Sequence, residues 1–336
     1  MKPVASLTGE DAILACLDSF FPRVHPSLLH GRGDDCAVLR AGTPLCLSTD
    51  LFVENVHFRR SYYSPEETGH KALAVNLSDL AACGAKPLAF SLGLGLPHDV
   101  DMDYLKGLFS GMSALAGRFR MALAGGDISR CSSLCIAITL WGEVGDGSWL
   151  MRGNVQPGET LFMLGRPGLA RIGLDALERH GREAIKQWPA ACAAHLAPQP
   201  QVDAGQIMAR LGPAGPLPAL MDVSDGLARD LPRLLGANGP GAELLIPEAM
   251  LHRELVNYAR RAQKNPVREA YLGGEDYALL GACSNSLLSA LHSALPDLFE
   301  IGVVSEKPGI RLNGVQIQEG ELPGFDHFDT GSQPDW

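Results

Sequence analysis

The stretch HKALAVNLSDLAACGAKP, residues 70–87, places the tightest limit on how this chain can fold. At helical spacing Leu73, Leu77, Leu80, Ala81 and Gly84 form one face. Asp79 lies nearly opposite, among Ala72, Val75, Ala82 and Cys83. A helix that is apolar nearly all round needs cover on both sides, so the rest of the fold has to wrap it. Asp79 is then expected to be buried. A buried carboxylate needs a cation, because an unpaired charge in an apolar interior is too costly. A salt bridge to a basic residue such as Lys71, or exposure of Asp79, is the alternative reading.

Asp79 has company. Gly33-Asp34-Asp35, Ser48-Thr49-Asp50, Gly125-Gly126-Asp127, Asp222-Val223-Ser224-Asp225-Gly226 and Gly273-Gly274-Glu275-Asp276 are acidic corners, mostly at strand ends. Any single Gly-Asp corner is ordinary turn chemistry, but their repetition points to a shared task. Oxygen-only ligands suit hard cations, magnesium above all, and the hydroxyls of Ser48, Thr49 and Ser224 can complete a coordination shell. Magnesium held by few carboxylates keeps positions open, and those positions usually meet phosphate. The residues therefore read as a polyphosphate or nucleotide site built on several magnesium ions. In the Asp34-Asp35 pair, Asp34 either ligates metal or holds the turn through its side chain.

The totals narrow the function classes. A chain of 336 residues is expected to form two domains, 1–150 and 151–336, with the turn VQPGE at 155–159 near the division. A net charge of −10 argues against nonspecific nucleic-acid or anionic-membrane partners, which require a basic surface. No apolar run reaches the ~18 residues that span a bilayer. Glu10, Asp11 and Asp18 interrupt the N-terminal apolar stretch, so it does not read as a signal peptide. The eight cysteines are scattered without a CxxC pair and read as small core residues in a reducing cytoplasm. Cys131 and Cys135 lack two further ligands at zinc spacing. The P-loop, the dinucleotide glycine fingerprint, the protein-kinase motifs, HExxH and the nucleophile elbow are all absent.

Hydrophobic patterning predicts a helix over about 8–21, strands near 36–40 and 45–50, and a helix over 66–84. Strands follow near 88–96 and 134–144, with a helix over 101–118 between them. The second half predicts a strand at 160–165, a helix at 169–180, a strand–turn–helix at 218–235 and a strand at 277–283. A hairpin turns on Asn313-Gly314. Pro232 falls inside the helix expected after Gly226 and should kink it or start a new one.

GDDCAVL, LSTDLFVENVHF, HKALAVNLSDLAACGAKP, GGDISR, Arg152-Gly153 before QPGE, DVSDGL, GGEDYALL and GFDHF occur in order from about residue 31 to 328. Together they resemble the thiamine-monophosphate kinase family, within the wider superfamily of aminoimidazole-ribotide-synthetase-like ATP enzymes. The resemblance implies an α/β protein of α+β type with two domains. The N-terminal domain would bind ATP and magnesium, and its sheet would form a barrel across a homodimer. The C-terminal α/β sandwich-like domain would complete the site. Carried over motif by motif, Asp35, Ser48, Thr49, Asp50, Asp79, Asp127, Asp222 and Asp225 would be magnesium ligands. Gly126, Asp127, Arg152 and Ser224 would touch ATP. His57, Glu275 and Phe325 would hold the thiamine part.

The implied reaction is in-line transfer of the terminal phosphate of ATP to thiamine monophosphate. An acceptor that is already a phosphate needs no covalent or general-base residue, so none is assigned. The family's Pro-rich loop usually ends in arginine, where this chain has Gln201. Two other readings are another ATP enzyme of the superfamily and a nucleotide-binding regulator without turnover. Selenophosphate synthetase would require a reactive Cys near the N-terminus, and the hydrogenase-maturation dehydratase a C-terminal Cys. The first thirty residues offer only Cys16, and the chain ends QPDW.

Overall fold

The computed structural model describes residues 10–22, 24–30, 38–39, 42, 44–145, 149–211, 217–236 and 239–317. The chain divides into two compact units: 1–80 with 85–147, and 81–84 with 148–336.

The first unit contains α1 (Glu10–Phe20), β1 (Leu28–His30), β2 (Val38–Leu39), β3 (Leu45–Val53), α2 (Pro65–Cys83), β4 (Lys86–Leu96), α3 (Met102–Arg118), β5 (Ala122–Arg130) and β6 (Cys135–Glu143). Four strands form a mixed sheet in the order β3-β6-β4-β5; β4 and β5 run parallel and the other pairs antiparallel. Strand alternation sends Phe52, Ile136, Ile138 and Leu140 to one face, where all four are buried. The opposite face of β3 leaves Leu45, Leu47 and Leu51 exposed, at 42%, 63% and 61%.

Helix α2 is the centre of this unit. Residues 71–78 are all buried, but Asp79, Ala82 and Cys83 are half-buried. Asp79 is therefore not fully enclosed, and the expected cover on both faces is complete only up to Ser78 of this helix. Its polar members are taken in as well: Lys71 and Ser78 are 0% exposed and Asn76 1%. Ser64 opens the helix with a reciprocal cap: Glu67 N–H donates to Ser64 Oγ (3.2 Å) and Ser64 N–H to Glu67 Oε2 (2.8 Å). Against α2, α3 approaches so closely that a Cβ at Gly69 would strike the backbone of Leu108, and one at Gly111 the backbone of Glu66.

The second unit contains β7 (Thr160–Leu164), α4 (Leu169–His180), α5 (Ala184–Gln187), α6 (Pro189–Leu196), α7 (Val202–Arg210), β8 (Ala219–Val223), α8 (Leu227–Leu235), β9 (Gly241–Leu244), α9 (Arg253–Arg261), α10 (Pro266–Leu272), β10 (Ala278–Cys283), α11 (Asn285–Ala294), β11 (Leu298–Ser305), β12 (Ile310–Leu312) and β13 (Val315–Ile317). Its seven strands run in the order β13-β12-β9-β11-β7-β10-β8, antiparallel except where β12 meets β9. β7 and β10 are buried at every position, as central strands covered on both faces must be. The hairpin turns at Asn313-Gly314, with both residues at positive φ (50° and 83°).

Two expectations need adjustment. Pro232 does not divide its helix: α8 runs through it as one nine-residue element. Proline there, the sixth of nine residues, removes a single backbone donor from the helix. The cysteines are less interior than their apolar neighbours imply: of those described, Cys192 and Cys283 are buried, Cys131 is exposed and the rest are half-buried. Strand pleating explains Cys46 and Cys135, since apolar neighbours along a strand point to the other face. No helix among the described residues is long and apolar enough to cross a membrane.

Candidate functional site

The acidic corners fall into two groups, one in each unit. In the first unit, β3 alternates, so Ser48 and Asp50 share the face that carries buried Phe52. Asp79 reaches the same place from α2: Ser48 Oγ donates to its carboxylate. Burial, and then the charge of Asp79, pushes the Asp50 carboxyl up to about 6. Burial likewise raises Asp79, against the Ser48 hydroxyl, which lowers it. Two half-buried carboxylates that repel each other, with a hydroxyl on one of them, form an all-oxygen donor set of the kind a hard cation neutralises. Lys71, the candidate counter-ion, instead donates to Tyr63 Oη (3.1 Å).

Thr49 leaves from the opposite face of β3. Its hydroxyl donates to Ile138 O (3.0 Å) and lies 2.5 Å from Thr139 Oγ1. Only its main chain is therefore available beside Asp50. Asp127, inside β5 rather than at a strand end, is exposed and accepts from Ser129 Oγ (3.1 Å). A Cβ at Gly126 would strike the backbone of Leu92 in β4, so this position requires glycine for strand pairing whatever else it binds. His57 closes the turn after β3. Its Nδ1 accepts from Val53 N–H (3.1 Å) and its ring stacks on Phe52. An Nδ1 that accepts leaves Nε2 as the donor of the neutral ring.

In the second unit, Asp222 and Val223 end β8, and Ser224-Asp225-Gly226 turns into α8. The corner is held by a residue that motif reading passed over. Asp230, fully buried, accepts from Asp225 N–H (2.9 Å) and Gly226 N–H (3.0 Å). Arg233 bridges it to Asp225, 2.8 Å from Asp230 Oδ1 and 2.7 Å from Asp225 Oδ2. Burial, and then Asp225, raises the Asp230 carboxyl to about 6 despite the guanidinium. The i, i+3 spacing of Asp230 and Arg233 was a legible signal for this pair.

The loop 273–277 packs directly on that corner. Glu275 N–H donates to Ser224 O (2.7 Å) and Tyr277 N–H to Val223 O (3.0 Å). A Cβ at Gly226 would lie 2.7 Å from Gly273 O, which leaves glycine as the residue that fits, at φ 95°. Glu275 and Tyr277 both hold positive φ, 63° and 47°. Such non-glycine strain costs about 1–3 kcal/mol per residue and clusters at ligand sites. Asp276 turns away and accepts from Gly168 N–H (2.5 Å) and Ala170 N–H (3.0 Å), tying the loop to the start of α4. Burial pushes its carboxyl up to about 7, against the pull of those donors. Glu275 instead lies 2.8 Å from buried His195 Nδ1.

Arg152 is exposed beside the start of β8, where Leu220 N–H donates to Met151 O (3.0 Å). It therefore sits at the opposite end of that strand from Ser224. Gln201 Nε2 donates to Gln199 O (3.1 Å), within its own loop. Asp35 and Phe325 lie outside the described residues. Among the described residues no three His, Cys, Asp or Glu side chains converge as a ready metal centre.

Comparison with known proteins places this geometry in a family. Residues 33–144 match the model of the AIR synthase related protein, N-terminal domain. The thiamine-monophosphate kinase of Synechococcus elongatus is 34% identical over 330 residues, 96% of this chain and 97% of that one. The crystal structure of thiamine-monophosphate kinase from Stenotrophomonas maltophilia K279a superposes with a TM-score of 0.75 at 31% identity, covering 90% of this chain and 95% of that one. A solved structure described as AaThiL complexed with AMPPCP and TMP gives 0.75 at 30% identity, covering 95% and 97%. A fold and a level of identity that agree over almost the full length have one explanation: the chain belongs to the thiamine-monophosphate kinase family.

Proposed function

We propose that this chain transfers the terminal phosphate of ATP to thiamine monophosphate, giving thiamine diphosphate, by direct in-line displacement. The observation that carries the reading is the Asp50–Asp79 pair: two carboxylates kept together at an electrostatic cost, with the Ser48 hydroxyl on Asp79. A relative complexed with AMPPCP and TMP supports the same pair of substrates.

Magnesium bound at these carboxylates supplies the positive charge that lets two phosphates approach. In the first unit Asp50, Asp79 and Ser48 would hold it with Asp35 and Asp127, Thr49 through its main chain, and Gly126 and Asp127 would hold the nucleotide. In the second unit Asp222 and Asp225 are the candidate ligands, and Ser224 and Arg152 the candidate nucleotide contacts, the last as a guanidinium fork on phosphate. Arg233 already keeps Asp225 oriented. His57, Glu275 and Phe325 hold the thiamine part. The acceptor phosphate is anionic at neutral pH, so these residues orient and neutralise and none abstracts a proton. The test is a panel of thiamine, thiamine monophosphate and aminoimidazole precursors with magnesium-ATP. ADP and thiamine diphosphate should form with thiamine monophosphate alone. ADP release with an aminoimidazole precursor, or ATP uptake without ADP, would refute the assignment.

The same reading includes a cytoplasmic homodimer closed through the four-stranded sheets. Leu45, Leu47 and Leu51 present an apolar stripe that an isolated subunit would leave in water. The double variant Leu47→Lys, Leu51→Lys should run as a monomer in light scattering where the wild type runs as a dimer. A wild-type monomer, or a dimeric double variant, argues against this interface.

A further inference from the structure

We propose that a cavity in the first unit is a second small-molecule site, which takes a flat aromatic anion. The cavity measures about 570 Å³, within the ~300–1,000 Å³ range of ligand pockets. It opens between the segment after α1, the start of β4 and the last turn of α3, and its lining residues all belong to the first unit. Phe20, Phe21 and Phe119 supply apolar wall. Two of these rings are set by the core: Phe20 tilts on Phe109 (6.2 Å between centroids) and Phe21 meets Phe90 edge-on (5.8 Å). The charged lining is Lys86 and Arg120, together with the imidazole of His25 and with no carboxylate among the described lining residues. In a chain of net charge −10, an acid-free cavity with two cations in its wall is complementary to an anion. None of the acidic corners contributes to this lining, so the site does not depend on the phosphotransfer reading.

The wall is preformed. Ser27 N–H donates to His25 Nδ1 (3.2 Å). Burial lowers the pKa of this imidazole, and a hydrogen bond to the Arg120 main chain partly offsets that. A neutral His25 thus fastens its segment to the end of α3 and leaves the positive charge to Lys86 and Arg120. Arg120 N–H donates to Gly117 O (3.1 Å) and Met121 N–H to Ala116 O (2.9 Å), the pattern that ends a helix on a left-handed residue. Glycine is the usual occupant of that position, and here arginine holds φ 54°. The chain therefore presents this guanidinium at a conformational cost. Neither Arg120 nor Lys86 forms an ion pair among the described residues. Glu143, opposite Lys86 in the sheet, accepts instead from Gly42 N–H (3.3 Å). An unpaired guanidinium and ammonium beside fixed aromatic rings match a ligand that joins a flat ring system to a carboxylate, sulfonate or phosphate.

The test is a fluorescence titration of the full chain with 8-anilinonaphthalene-1-sulfonate. The uncharged N-phenyl-1-naphthylamine, with the same rings and no sulfonate, is the comparison probe. The sulfonate should bind saturably at one site per chain. Saturating magnesium-ATP and thiamine monophosphate should leave its Kd within about twofold of the value without them. Arg120→Gly should keep the thermal midpoint at or above wild type, because glycine suits the left-handed position, and yet weaken the sulfonate about fivefold. Adding Lys86→Gln should bring the loss to at least about tenfold, with the uncharged probe bound as in wild type. A sulfonate Kd unchanged in the double variant would overturn the site, and so would displacement of the sulfonate by magnesium-ATP. Equal losses for both probes would show that charge does not select the ligand, and uptake of many probe molecules without saturation would show that no defined site exists; either result sinks the proposal.

Discussion

Replacing Asp79 with Asn is expected to lower turnover by at least about 10³-fold while making the metal-free protein more stable. The two effects have one source. Asp50 and Asp79 are held together in a half-buried place, and the Asp50 carboxyl rises from 3.8 to about 6. A carboxyl whose folded pKa is raised contributes its stability below the unfolded value, and that contribution is lost as pH rises through the folded value. Metal-free wild type should therefore lose on the order of 2 kcal/mol between pH about 4 and about 6 from this pair. Asp79→Asn removes one charge and flattens that slope. It also removes the charge that holds magnesium against phosphate, and a 10³-fold loss corresponds to about 4 kcal/mol of barrier. Thermal unfolding in chelator and in magnesium provides the second readout: magnesium should raise the wild-type midpoint and leave the variant's unchanged. Turnover near wild type, with magnesium still stabilising the variant, would refute the metal role.

Asp230→Ala should be among the most damaging single substitutions for stability in the second unit, at about 3–5 kcal/mol. The alanine variant leaves the Asp225 and Gly226 N–H groups without their acceptor and removes half of the Arg233 bridge. Both amides are enclosed under the 273–277 loop, so water cannot replace the carboxylate without opening the corner. Asp230→Asn keeps one acceptor oxygen and should lose roughly half as much. Denaturant unfolding measures both. A loss below about 1 kcal/mol for the alanine variant would mean that the corner is held by its strand and loop contacts alone.

The helix 70–87 and the acidic corners were legible because each depends on local pattern. Apolar residues round a helix require burial whatever surrounds it, and the 222–226 corner does turn from β8 into α8. Gly125-Gly126-Asp127 and Ser48-Thr49-Asp50 instead run inside β5 and β3, where strand pairing overrides the local turn preference. The strands β7 and β10 and the Asn313-Gly314 hairpin follow from the same local rules. The partners of those corners were not legible. Nothing in sequence order sets His195 beside Glu275, eighty positions apart, or decides that Asp79 meets Ser48 while Lys71 goes to Tyr63. Within GGED, two adjacent acids look equivalent, yet the αL backbone of Glu275 sends Asp276 to the start of α4 and Glu275 to the imidazole. Thr49 reads as one of three neighbouring ligands, and strand pleating turns its hydroxyl to the far face.

The sequence by itself determined the recurring glycine-marked acidic residues, the apolar helix and the resemblance to the thiamine-monophosphate kinase family, because residue type and local pattern set those properties. Only the tertiary structure decided which carboxylates share a charge problem and which are fastened to backbone amides, because burial and long-range pairing, not residue type, fix a carboxylate's partner.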